Sequence, residues 1–136
     1  MTKPVAVLLY PGFQELEFWY PVLRLREEKL EVVVLGCSGP EAAYSRLGYP
    51  VIPNRPLTDV TGSEFSAVIV PGGNAAPLQT NAALRTFLDE ADKAGALLAA
   101  ISEGISLLGG AAGDAITAPD TDELPNWSRK LMSALA

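Results

Sequence analysis

The chain contains no histidine, a single cysteine and few basic residues. Each shortage closes off some chemistry. Without imidazole, the usual base that activates a serine nucleophile is missing. One cysteine, Cys37, excludes an internal disulfide framework, and a Cys/His metal centre is impossible. Nothing in the pattern calls for a metal or another cofactor. Ten Lys and Arg stand against sixteen Asp and Glu, a net charge of -6, which argues against nucleic acid and against an anionic membrane surface as partners. No apolar run approaches the ~20 residues of a membrane-spanning helix. Met1-Thr2-Lys3-Pro4 shows no signal-peptide pattern and leads straight into an apolar strand, so a cytoplasmic location is expected.

What is present is a core. Hydrophobic residues make up 49% of the 136 residues and charged ones 19%, enough for one domain spanning 1–136. Strand and helix patterns alternate along it. Val5 to Leu9, Ala67 to Val70 and Leu97 to Ile101 are short continuous apolar runs, as strands covered on both faces require, and Leu30 to Leu35 reads as a further apolar strand. Between the first two, a helix from Gln14 or Glu15 carries two apolar stripes. One holds Leu16, Trp19, Tyr20 and Leu23, the other Phe18, Val22 and Leu25. One stripe should face the sheet and the other a second copy of the chain, which predicts a homodimer through this helix. Pro21 predicts a late start or a kink.

The Pro- and Gly-rich stretch from Ser38 to Val60 suits short edge strands at Ala42-Tyr44 and Tyr49-Ile52. Asn81 caps a helix carrying Leu84, Phe87, Leu88 and Ala91, and Gly95 ends it. After Ile101 a helix is predicted to about Ala112, then a short strand at Ala115-Ile116. Thr121 or Asp122 is expected to cap a last helix with Leu124, Trp127, Leu131 and Leu135. Repeated strand-helix-strand units imply a mostly parallel sheet with helices on both faces, an α/β three-layer sandwich of flavodoxin-like form. Gly12 to Glu17, Gly72-Gly73 and Ser102-Glu103 then follow the carboxyl ends of three strands, where open α/β sheets place their sites.

The sharpest signal is the turn Ser102-Glu103-Gly104 between a buried strand and a helix. An exposed side chain on such an elbow stands beside free backbone N–H groups that stabilise developing negative charge.

Taken together, these segments resemble the ThiJ/PfpI family, of the class I glutamine amidotransferase-like fold, over nearly the whole chain. Val5 through Glu17 is similar to that family's opening strand and acidic loop. Val68-Ile69-Val70-Pro71-Gly72-Gly73 resembles its glycine-pair turn, and Ala115 to Leu124 with Trp127 its closing strand and last helix. Ala100-Ile101-Ser102-Glu103-Gly104 resembles its elbow, where the usual reading is Ala-Ile-Cys-His-Gly. The resemblance puts Glu17 at the carboxylate that contacts the elbow cysteine and lowers its pKa. It puts the N–H groups of Gly73 and Glu103 at the oxyanion hole, beside Gly72. Family members also carry further residues between the positions of Gly110 and Ala115, so a more open site is implied here.

With serine in place of the nucleophilic cysteine and glutamate in place of histidine, the expectation is a domain that has lost cysteine-based catalysis and binds a small molecule or partner at the residual cleft. A serine hydroxyl is far less acidic than a thiol, and Glu17 is a weak base for it. The competing expectation is a serine-variant hydrolase or lyase acting on a small carbonyl or acyl compound. There Ser102 is the nucleophile or donor, Glu17 the acid/base, and Gly73 and Glu103 hold the oxyanion. A third is an interaction module that uses only the dimer surface.

Two carboxylates near one hydroxyl would also favour a shared proton, a cation or an amine. Against that, Glu103 is more simply read as turned to solvent or paired with an arginine. Gly72-Gly73 lacks the spacing and lysine of a phosphate loop. Cys37 reads as a small, partly buried residue, Glu15 as a first-turn acid favoured by the helix dipole, and Arg24 to Lys29 as a solvated helix end.

Overall fold

The computed structural model describes residues 2–136. In chain order its elements are β1 (Val5–Leu9), α1 (Glu15–Glu27), β2 (Val32–Gly36), β3 (Ala43–Tyr44), β4 (Pro50–Val51), β5 (Arg55–Pro56), β6 (Ala67–Val70), α2 (Ala82–Lys93), β7 (Leu97–Ile101), β8 (Ile116–Ala118) and α3 (Leu124–Leu135). Six strands form one sheet in the order β5-β2-β1-β6-β7-β8, every neighbouring pair parallel. All side chains of β1 and β6 are buried, as the absence of polar residues in them requires.

Alternate strand residues feed two cores. Val7, Leu9, Ile69 and Ile101 pack beneath α1 and α3 against Phe18, Val22, Leu25, Trp127 and Leu131. Leu8, Val68, Val70 and Leu98 meet Leu84, Phe87 and Leu88 of α2 on the other face. Each such side chain contributes roughly 1.5–3 kcal/mol when removed from water. The stripe of α1 carrying Phe18, Val22 and Leu25 is therefore the buried one, while Leu16, Trp19 and Leu23 are exposed.

Several expectations are corrected. Pro21 brings no late start: α1 begins at Glu15, where the Gln14 side chain accepts the Glu17 N–H at 2.8 Å, and runs on through the proline. Pro21 is itself buried with Phe18, Val22 and Leu25, and that burial outweighs the ~3 kcal/mol a helix-interior proline costs. The second strand lies at Val32–Gly36, two residues later at its start than the apolar run suggested.

The strands near Ala42-Tyr44 and Tyr49-Ile52 do not edge the main sheet. β3 and β4 pair antiparallel with each other, joined by a turn in which Ser45 N–H donates to the Tyr49 carbonyl. The sheet edge is β5 instead, paired to Leu35 and Gly36.

After the elbow, Ser102–Asp114 winds as tight 3-10 turns rather than an α-helix, broken at Gly109, whose φ is 57°. Gly104, Gly109, Gly110 and Gly113 give this stretch low helix propensity, and Gly109 takes a backbone conformation no helix contains. Neither Thr121 nor Asp122 caps α3. The Asp120 carboxylate accepts the Asp122 N–H at 3.0 Å to close a turn over residues 121–123, and α3 follows from Leu124.

Candidate functional site

The chain leaves β1 for β2 on one side and returns to β6 on the other, so strand order switches between β1 and β6. The loops after the carboxyl ends of these strands and of β7 diverge around a crevice there. Ser102 sits in it with a φ of 50°, a left-handed conformation uncommon for a residue with a side chain and characteristic of a nucleophile elbow. A Cβ on Gly104 would stand 2.5 Å from the carbonyl oxygens of Val70 and Pro71, so only glycine lets the elbow pack onto the end of β6.

The glycine-pair turn is fixed from three directions. The buried Tyr10 hydroxyl donates to the Pro71 carbonyl, Gln14 N–H donates to the Gly72 carbonyl at 2.9 Å, and Gly73 bridges to Phe13. Burial raises the Tyr10 pKa, with Cys37, Glu103 and Glu17 adding to the effect, so the hydroxyl keeps its proton and remains a donor.

These loops bring Glu17, Gly72, Gly73, Ser102 and Glu103 together. Ser102 Oγ donates to Glu17 Oε2 at 2.8 Å, and Thr121 Oγ1 donates to the same oxygen at 2.8 Å. Glu17 is 3% exposed, and its other oxygen, Oε1, is buried with no donor. A Cβ on Gly72 would collide with that oxygen and stand 2.9 Å from both Glu103 Oε1 and Ser102 Cβ. The two carboxylates thus converge above the one residue that has no side chain to separate them.

Of its two simple readings, solvent or an arginine, Glu103 takes the arginine. Its Oε1 accepts the Gly73 N–H at 3.1 Å and its Oε2 accepts from Arg46 at 2.7 Å. Partial burial works to raise the Glu103 carboxyl, but its own backbone N–H, Arg46 and the Gly73 N–H outweigh that and hold it below the usual carboxylate range. Arg46 is anchored beside the cleft by its backbone, whose N–H donates to the Phe13 carbonyl at 3.0 Å. The Arg46–Glu103 pair lies between two hollows. One, about 540 Å³, is lined by Gln14, Glu17, Ser102, Asp120 and Thr121; the other, about 550 Å³, by Gly73, Asn74, Ala75, Ala76, Gln79 and Ser106.

Two residues of this cleft escape sequence reasoning. Arg46 lies in a Pro/Gly-rich stretch with no local mark of a site, and Thr121 reads as a helix cap. Cys37 stays outside. It packs against the core beneath α2, and burial pushes its thiol up to about 12, so it supplies no thiolate near neutral pH. Glu15 ties α1 to the β3–β4 hairpin: its Oε2 accepts the Leu47 N–H at 2.7 Å. A hydrogen bond from Ser45 is the main cause of its lowered pKa.

Chemically, the cleft holds a hydroxyl donating to a carboxylate and an N–H that a second carboxylate already uses. The fold and elbow define a flavodoxin-like α/β domain with its crevice at the switch point. Residues 3–118 match the model of the DJ-1/PfpI family, and the chain belongs to that family.

Protein dj-1beta of Drosophila melanogaster is 30% identical over 122 residues, covering 86% of this chain and 65% of that protein. Protein/nucleic acid deglycase 2 of Escherichia coli is 27% identical over 110 residues, covering 79% of this chain and 64% of that one. The chain therefore spans less than two thirds of the length of these curated relatives. Among solved structures, a mutant of a DJ-1 superfamily protein from Salmonella typhimurium superposes with a TM-score of 0.86 at 26% identity, over 98% of this chain and 90% of that one. Drosophila melanogaster DJ-1beta superposes with a TM-score of 0.75 at 29% identity, over 79% of this chain and 59% of that one. No helix among the described residues is long and apolar enough to cross a membrane.

Proposed function

We propose that residues 1–136 act as a single cytoplasmic DJ-1/PfpI-like domain that has lost cysteine-based catalysis and binds a small molecule at the residual cleft. The observation that carries this reading is the Glu103 carboxylate on the Gly73 N–H. An oxyanion of a reacting carbonyl would need that donor, and repulsion from the resident carboxylate would oppose its arrival. Ser102 fits the same reading, because its hydroxyl is committed to a carboxylate and no stronger base is at hand.

Wild type and Ser102→Ala are expected to turn over p-nitrophenyl acetate and methylglyoxal equally, at the background rate, with Ser102→Ala folded but melting lower because Glu17 loses a donor. Turnover by wild type that Ser102→Ala abolishes would replace this reading with a serine hydrolase or lyase. In that case Glu17 would be its acid/base and Gly73 and Glu103 its oxyanion donors.

We also propose that the domain pairs with a second copy through α1. Every large apolar side chain that is exposed among the described residues lies on α1 or between Tyr44 and Ile52, and the Glu15–Leu47 hydrogen bond holds these two segments side by side. Such clustering marks an association surface. Wild type should sediment as a dimer and Trp19→Glu as a monomer; a monomeric wild type at micromolar concentration would overturn the assignment.

A further inference from the structure

Glu103 does in the cleft what a bound carboxylate would do. One of its oxygens takes the Gly73 N–H and the other takes Arg46, so the structure displays a carboxylate-binding site filled from within. Its side chain is 51% exposed and borders both hollows of the cleft. Beside that site lies an acceptor lacking a donor, Glu17 Oε1, and none of the ion pairs among the described residues involves Glu17. Glu103 Oε1 and Glu17 Oε1 approach the same point above Gly72, so a carboxylate and a donor joined through one carbon would meet both.

We infer that the ligand of this cleft is an α-amino acid with an uncharged side chain, bound with its carboxylate in place of that of Glu103. The inference rests on the reading of the chain as a binding domain. The ligand's carboxylate takes Gly73 N–H and Arg46, which are charge-matched for it. Its ammonium donates to Glu17 Oε1, supplying the charge and hydrogen bond that a buried carboxylate oxygen needs. Its side chain enters the hollow lined by Asn74, Ala75, Ala76 and Gln79, where no further charge would welcome a charged group. Glu103 thereby competes with the ligand from within the chain, and apparent affinity is the intrinsic affinity multiplied by the fraction of molecules in which Glu103 has swung out.

The test compares wild type with Glu103→Ala, using L-alanine, propionate and ethylamine as probes. Calorimetry reads affinity and ¹H–¹⁵N spectra read the Gly73 amide; Glu103→Gln serves as a second variant should the alanine variant melt early. Removing the internal competitor should tighten L-alanine about tenfold or more and shift the Gly73 amide. In the Glu103→Ala protein, L-alanine should bind about tenfold tighter than propionate or ethylamine, and adding Glu17→Gln should erase its advantage over propionate.

Equal binding of propionate and L-alanine would overturn the ammonium assignment. No tightening in either Glu103 variant would overturn the internal competition. Failure of all probes to move the Gly73 amide would overturn the inference as a whole, while the catalytic silence of wild type would leave the binding-domain reading standing. Ser102-dependent turnover is the separate result that removes that reading.

Discussion

Ser102→Cys combined with Glu103→His is expected to hydrolyse p-nitrophenyl acetate with a burst of acyl-enzyme, while Ser102→Cys alone stays about a hundredfold slower or worse. The single change restores a nucleophile whose ordinary pKa, near 8.5, already leaves some thiolate at neutral pH. It does not free the Gly73 N–H, which Glu103 Oε1 accepts at 3.1 Å, nor remove the negative charge from the place where the carbonyl oxygen must become an oxyanion. Loss of one oxyanion donor is worth about 10²–10³ in rate. Glu103→His removes the blocking carboxylate, keeps the backbone N–H of residue 103 and supplies an imidazole near the thiol. It also releases Arg46 from its 2.7 Å partner. Stopped-flow release of nitrophenolate would measure both variants. A single variant as fast as the double would show that the Glu103 carboxylate is no obstacle, and the account of the silent cleft would fall with it.

Glu17→Gln is expected to raise the melting temperature, by about 5 °C, although it alters the most buried polar residue of the cleft. A desolvated acceptor without a donor costs about 1–3 kcal/mol, and 1 kcal/mol corresponds to roughly 2–8 °C in domains of this size range. Glutamine retains one oxygen to accept from Ser102 and Thr121 and places an NH₂ where Oε1 now stands alone, within reach of Glu103 Oε1. Glu17→Ala should act in the opposite direction, because it leaves two hydroxyls without an acceptor and opens a cavity. Scanning calorimetry separates the cases. A Glu17→Gln protein that melts no higher than wild type would mean that the lone oxygen is no liability. Stability given up at this position would fit a residue retained for what it binds.

The central strands were legible because a strand covered on both faces must be apolar throughout, and β1, β6 and β7 contain nothing else. The position of the cleft followed from the parallel order, and the elbow from a turn between an apolar run and glycine. Arg46 was not legible. Its partner lies 57 residues away, and only the path of the β3–β4 hairpin across the cleft mouth brings them together. Thr121 was misread for a related reason: a hydroxyl before a helix has the same local pattern whether it caps that helix or reaches a carboxylate 104 residues distant. The segment from Ser102 to Asp114 was misread because a largely apolar run after a sharp turn suggested a helix, while its glycines decided the backbone.

The wholly parallel sheet has a consequence for how the molecule is made. No neighbouring pair in it is joined by a hairpin, and the Ser102–Glu17 bond closes a loop of 85 residues. The entropy of such closures is spent before their contacts form, so folding is slow beside that of a helical chain of equal length. During synthesis, β1 and the acidic loop must wait for β7, and Thr121 arrives later still. The cleft is thus complete only once the chain has been made past Thr121, with α3 still to follow. A ligand that requires all of it can recognise only chains in which these distant segments have met, holding them folded without hastening their arrival.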